Sequence, residues 1–185
     1  MTGPAEILAF WFGDNPSERR AVWFRKDDAF DAACARFAPA AAAAREGAYD
    51  HWAGTAEGAL ALVILLDQLS RNLHRGSALA FAADAKARQV ASAAIDRGFD
   101  RLLTSVQRMF VYLPFEHSED LADQDRSVAL FEAIRPALGD STVDYAVRHR
   151  DVIARFGRFP HRNAVLGRTN TLAEEAYLAE PGAGF

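Results

Sequence analysis

Three short segments of this sequence carry polar side chains at spacings that could do chemistry. The first is Asp67-Gln68-Leu69-Ser70-Arg71-Asn72-Leu73-His74-Arg75. Asp67 stands four residues before Arg71, so on a helix the two share a face. The segment continues Ala59 to Leu66, the longest apolar run of the chain. A helix that is apolar on all sides belongs inside the fold. An acid and an arginine leaving such a helix must be paired, because an unpaired buried charge is very costly. They are either an ion pair that fixes packing or the charged floor of a pocket.

The second segment is Leu113-Pro114-Phe115-Glu116-His117-Ser118-Glu119-Asp120. Pro114 is expected to end one helix and Ser118 to cap the next, which leaves Glu116 and His117 in a tight elbow. Glu119, Asp120 and Asp123 suit the first turns of a helix, where the dipole favours acids. Glu116 and His117 have no such explanation. A carboxylate beside an imidazole serves as a general acid–base pair, or it orients a histidine that hydrogen-bonds its neighbours.

The third is Arg155-Phe156-Gly157-Arg158-Phe159-Pro160-His161-Arg162-Asn163, with three arginines, one histidine and no acid. A helix C-terminus capped by Gly157 accounts for Arg155. It does not account for His161, Arg162 and Asn163 beyond it. Guanidinium forks match carboxylates and phosphates, so the loop is an anion clamp or the partner of the chain's own Asp67, Glu116 and Glu119. An ion pair from Arg158 or Arg162 to one of those acids is therefore expected. His149 shares a helix face with Tyr145, Val152 and Phe156 and is read as an inward, hydrogen-bonded core residue.

Other chemistry is missing from the sequence. It holds no C-x-x-C, H-E-x-x-H, EF-hand loop, G-x-S-x-G or Gly-rich phosphate loop. The histidines lack metal-ligand spacing, so no metal and no cofactor is expected. A net charge of −4 argues against a broad nucleic-acid footprint. No apolar run approaches the ~20 residues that cross a bilayer, and Met1 to Glu6 lacks the basic start of a secretory signal. A single cysteine, Cys34, cannot form an internal disulfide. A cytoplasmic protein with no membrane partner is expected.

The elements that must position these segments read as helices. The 185 residues, with 38 Ala against 12 Gly and 7 Pro, point to one helix-rich domain spanning 1–185. Pro4 and Gly13 bracket a first helix. Asp27 or Asp28 caps a second, which Pro39 interrupts before an Ala-rich turn ending at Gly47. Thr55 caps a third reaching about Leu73, and Ser77 starts a fourth that ends at Gly98. Thr104 with Gln107, Ser141 with Asp144 and Thr171 with Glu174 have capping-box spacing. The expected fold is all-α, about eight helices with short connections that favour antiparallel neighbours.

The same segments carry a family likeness. Phe10-Trp11-Phe12-Gly13, Trp23-Phe24, Leu66-Asp67-Gln68, Arg71-Asn72, Arg75-Gly76, Leu113 to Glu119 and Phe156 to Asn163 resemble the bacterial family known as domain of unknown function 924. The likeness implies a tetratricopeptide-like, right-handed array of helix hairpins and no established reaction. Where the family pattern has Phe-Pro before Arg-Asn, this chain has Leu69-Ser70, so the helix need not break before Arg71. The leading expectation is a binding domain whose concave face gathers Asp67, Arg71, Asn72, Glu116, His117, Arg158, His161, Arg162 and Asn163 around a small anion or a carboxylate-bearing peptide. The alternatives are a hydrolase or transferase using Glu116 and His117 as its acid–base pair, with arginines stabilising developing charge, and motifs that are purely structural.

Overall fold

The computed structural model describes residues 2–184; Phe185, and Met1 of the start read for a leader, lie outside them. The described residues are helical, with no strand among them. They form two compact units, one of residues 2–75 and 79–114, the other of 76–78 and 115–184.

In the first unit, α1 (Pro4–Phe12) opens on Pro4 and stops at Gly13, whose φ of +66° suits a residue without Cβ. Its Trp11 and the following Trp23 close on Phe110 at 5.6 and 4.8 Å between ring centroids. Asp27 caps α2 (Asp28–Cys34) by accepting from the Phe30 N–H. A 3-10 turn leads into α3 (Ala38–Arg45). Pro39 falls in the first turn of α3, where its missing N–H has no helical acceptor to lose. The Thr55 hydroxyl caps α4 (Ala56–Val63), accepting from Gly58 N at 3.1 Å. The backbone then widens into a π-helical stretch, Ile64–Leu69, before α5 (Ser70–Leu73). Residues 59–66 are at most 1% exposed, so this rod is the centre of its unit.

The fourth helix starts later than Ser77. A 3-10 turn, Ala78–Phe81, comes first, and α6 (Asp84–Asp96) begins with Asp84 buried. The box of Thr104 and Gln107 opens α7 (Ser105–Glu116), each side chain meeting the other's backbone N–H. Pro114 lies inside α7 rather than ending it. Two residues short of the terminus, it removes one hydrogen bond without stopping the turn. Phe115 and Glu116 belong to the second unit.

In the second unit, α8 (Leu121–Leu138) and α9 (Asp140–Phe156) form a hairpin on the single residue Gly139, at φ +83°. Asp120, not Ser118, caps α8, and Pro136 lies within it. No side chain caps α9: Gly139 makes the reversal in one residue and draws Asp140 into the first turn, which displaces the box expected at Ser141. Gly157 at φ +69° ends α9. The box of Thr171 and Glu174 opens α10 (Leu172–Leu178). With α2–α3 and α4–α5 counted as continuous rods, the described residues hold eight helices. None is long and apolar enough to cross a membrane.

Candidate functional site

The first polar segment lies in the first unit and pairs with acids of that unit. Asp67 is fully buried on the π-helical stretch and accepts from Gln68 Nε2 at 2.6 Å. Arg71 Nη1 lies 3.0 Å from the Asp67 carboxylate and donates to the Asp67 carbonyl at 2.9 Å. Its fork also closes on Asp84, with Nη1 and Nη2 donating to the two oxygens at 3.0 Å each. Burial alone would lower the Arg71 pKa, but the charges of Asp67 and Asp84 raise it. Asn72 is turned elsewhere, donating to Asp31 at 2.7 Å, and Arg75 grips the same carboxylate with two bonds of 2.9 Å. Arg71 and Asn72 thus both meet carboxylates of the first unit.

The other two segments meet in the second unit, where Phe159 is the hub. The His149 ring lies 5.7 Å and the His161 ring 5.5 Å from the Phe159 ring, and the Arg162 guanidinium sits 4.5 Å from its centroid. The His117 ring stands 6.4 Å from that of His149. Glu116, the last residue of α7, brings Oε1 to 3.4 Å from His149 Nδ1. Glu116, His149 and Arg162 are 4%, 5% and 6% exposed, so the cluster is largely withdrawn from water. Burial lowers the His149 pKa to about 3, and burial with the Arg162 charge lowers that of His161 to about 4. Both rings are neutral at pH 7.

A network fastens the arginine-rich loop beside this cluster. Glu119 accepts from Phe159 N at 2.7 Å and from both ends of the Arg168 guanidinium at 2.7 and 2.9 Å. Burial would raise the Glu119 pKa, but these bonds hold it below the usual carboxylate range. Arg168 also donates to Asn163 Oδ1 at 2.8 Å, and Asn163 donates to Asn170 at 2.8 Å. Arg158 does not pair with Glu119. Its fork closes on Glu174 at 2.6 and 2.8 Å and takes the Thr169 carbonyl besides. Among the described residues no group of three or more His, Cys, Asp or Glu is placed to hold a metal ion.

Residues 7–182 match a family described as bacterial protein of unknown function, DUF924. The chain belongs to this family. A solved structure of a protein of unknown function from Agrobacterium tumefaciens is 44% identical, covers 95% of this chain and 96% of its own, and superposes with a TM-score of 0.85. No curated protein matches. The likeness in sequence and the helical architecture therefore agree on DUF924.

Sequence reasoning singled out much of the DUF924 cluster but missed its fasteners. Arg168 lies five residues beyond the loop's last expected member, and a lone arginine in a turn has no local signature. Asp84 and Asp31 are equally silent, and Glu174 announces only its capping box: each is an ordinary helix acid until its arginine arrives from elsewhere. Gln124, fully buried, donates to the carbonyls of Glu116 and Ser118, both at 2.7 Å. A polar residue on an inward helical position was its only available signal.

Proposed function

We propose that this DUF924 protein binds a small anion or a carboxylate-bearing peptide at the cluster of Glu116, His117, His149, His161 and Arg162. The observation that carries the reading is the gathering of two imidazoles and a guanidinium around the Phe159 ring, with a third imidazole, His117, against that of His149. Packing alone would fill such a place with aliphatic side chains. Neutral imidazoles offer one donor and one acceptor each, and Arg162 supplies the positive charge that selects an anion. Asn163 shapes the loop through Arg168 and Asn170. Asp67, Arg71 and Asn72 support the first unit, and Arg158 anchors α10, so ligand contact is assigned to none of these four.

Acid–base catalysis is the weaker reading. The histidine geometrically matched to Glu116 is His149. A pKa near 3 makes His149 a poor base at neutral pH, where catalytic groups are tuned close to the working pH. Titration of the protein with inorganic phosphate, acetate and an acidic peptide, followed through the histidine ring signals, tests the binding reading. Saturable shifts at His117, His149 and His161, weakened in Arg162→Gln, are expected. Unmoved signals at millimolar concentrations of all three probes would overturn it.

A further inference from the structure

Gln124 stands outside every motif and yet touches the backbone on both sides of His117. It belongs to the first turns of α8, and its side chain is fully buried. Nε2 has two protons, and each finds one carbonyl, that of Glu116 and that of Ser118, at 2.7 Å. The Glu116 carbonyl is one of the last four of α7, which have no acceptor role left inside the helix. The partner of that carbonyl is thus a side chain from the following helix. The amide oxygen Oε1 is buried with no hydrogen-bond partner. A side chain selected to fill space would avoid leaving a buried carbonyl orphaned. A planar NH2 group, with its two protons about 120° apart, spans two carbonyls without bringing in a charge, which a hydroxyl with its single proton does not do.

We propose that Gln124 is the positioning residue of the candidate site: its amide fixes the Glu116–Ser118 elbow, so that Glu116 meets His149 and the His117 ring is aimed toward the same imidazole. The inference rests on the site reading above for its functional meaning and on the two hydrogen bonds for its geometry. A second set of bonds holds the far side of the elbow. Ser118 Oγ donates to Asp123 at 2.7 Å and accepts from Asp120 N at 3.2 Å. Between them the backbone of residues 116–118 is held from both flanks, and the His117 side chain is the part of the turn left to face the cluster.

Gln124→Met keeps length and volume and removes both donors together with the orphaned oxygen. In this variant the ring signals of His117 and His149 should shift, while those of His51 and His74 in the first unit stay in place. Phosphate affinity should fall about tenfold, equivalent to about 1.4 kcal/mol. Wild-type ring signals at His117 and His149 in a folded Gln124→Met protein would overturn the proposal. If the wild type binds none of phosphate, acetate and the acidic peptide, the site reading fails and the ring signals still judge Gln124. If Gln124→Met does not fold, the wild-type protein decides. Slow hydrogen exchange of the Gln124 side-chain amide, with scalar couplings to carbonyls 116 and 118, is expected, and exchange at the rate of a free amide would refute it.

Discussion

His149 Nδ1 faces Glu116 Oε1 at 3.4 Å while lying 2.8 Å from the carbonyl of Tyr145. A ring nitrogen between two acceptors carries the proton. The neutral ring is therefore the Nδ1–H tautomer, and Nε2 is its acceptor. Glu116 and Tyr145 between them choose which face of the imidazole chemistry His149 offers to a ligand.

Stability should fall steeply on mild acidification. The folded pKa values of His149 and His161, about 3 and about 4, lie below the ordinary 6.5. The unfolded chain therefore binds more protons, and stability present above pH 6.5 is lost as pH falls toward the folded values. Each histidine contributes up to about 1.4 kcal/mol per pH unit. Urea midpoints measured from pH 7 to pH 4.5 should decline, and His149→Gln should roughly halve the slope. A flat profile would refute the shifted values.

Removing Arg71 should cost about 3–5 kcal/mol, because two buried carboxylates, Asp67 and Asp84, lose the guanidinium that bridges them. Arg162 is also buried. An exposed arginine pair is worth about 1 kcal/mol or less, and burial places the loss in Arg162→Ala above that. Urea denaturation of both alanine variants at unchanged m-value measures the two losses.

Gly58→Ala should destabilise despite the better helix propensity of alanine. A Cβ at Gly58 would collide with the Trp52 carbonyl and crowd the Thr55 hydroxyl that caps α4. The expected loss is about 1–3 kcal/mol, read as a lower melting temperature. An unchanged or raised value would show that the 3-10 turn at Asp50–Gly54 yields freely.

Chelation should leave the protein unmoved. The imidazoles cluster by ring contact, and no set of three ligating side chains is arranged around a point among the described residues. Elemental analysis should find no stoichiometric zinc or iron, and the melting temperature in EDTA should equal that in buffer. A metal lost together with stability would contradict this.

What could be read from the sequence was what short-range chemistry decides. Pro4 with Gly13, the box of Thr104 and Gln107, the box of Thr171 and Glu174, and Gly157 act within one turn, and the helices begin or end where they stand. Misplaced boundaries came from competition between neighbours. Asp120 outcompetes Ser118 as a cap, and Gly139 pre-empts Ser141. The all-helical class and the DUF924 likeness were also legible. Side-chain partners were not. Arg158 could have met any acid that α7 or α10 brought near, and which one it meets is settled by tertiary packing alone. The same holds for Glu119 and Arg168.

The π-helical stretch at Ile64–Leu69 has a consequence for how related chains are compared. A π turn is an α-helix carrying one surplus residue, which its extra width absorbs. Deleting one residue there would restore a regular helix and leave Arg71 on nearly the same face, whereas deleting one from a helix already regular would swing it by about 100° around the axis. A relative lacking the surplus residue would therefore need an alignment gap inside an otherwise unbroken helix. Without that gap, the residue aligned to Arg71 would be one position, and about 100°, from the one that shares its face.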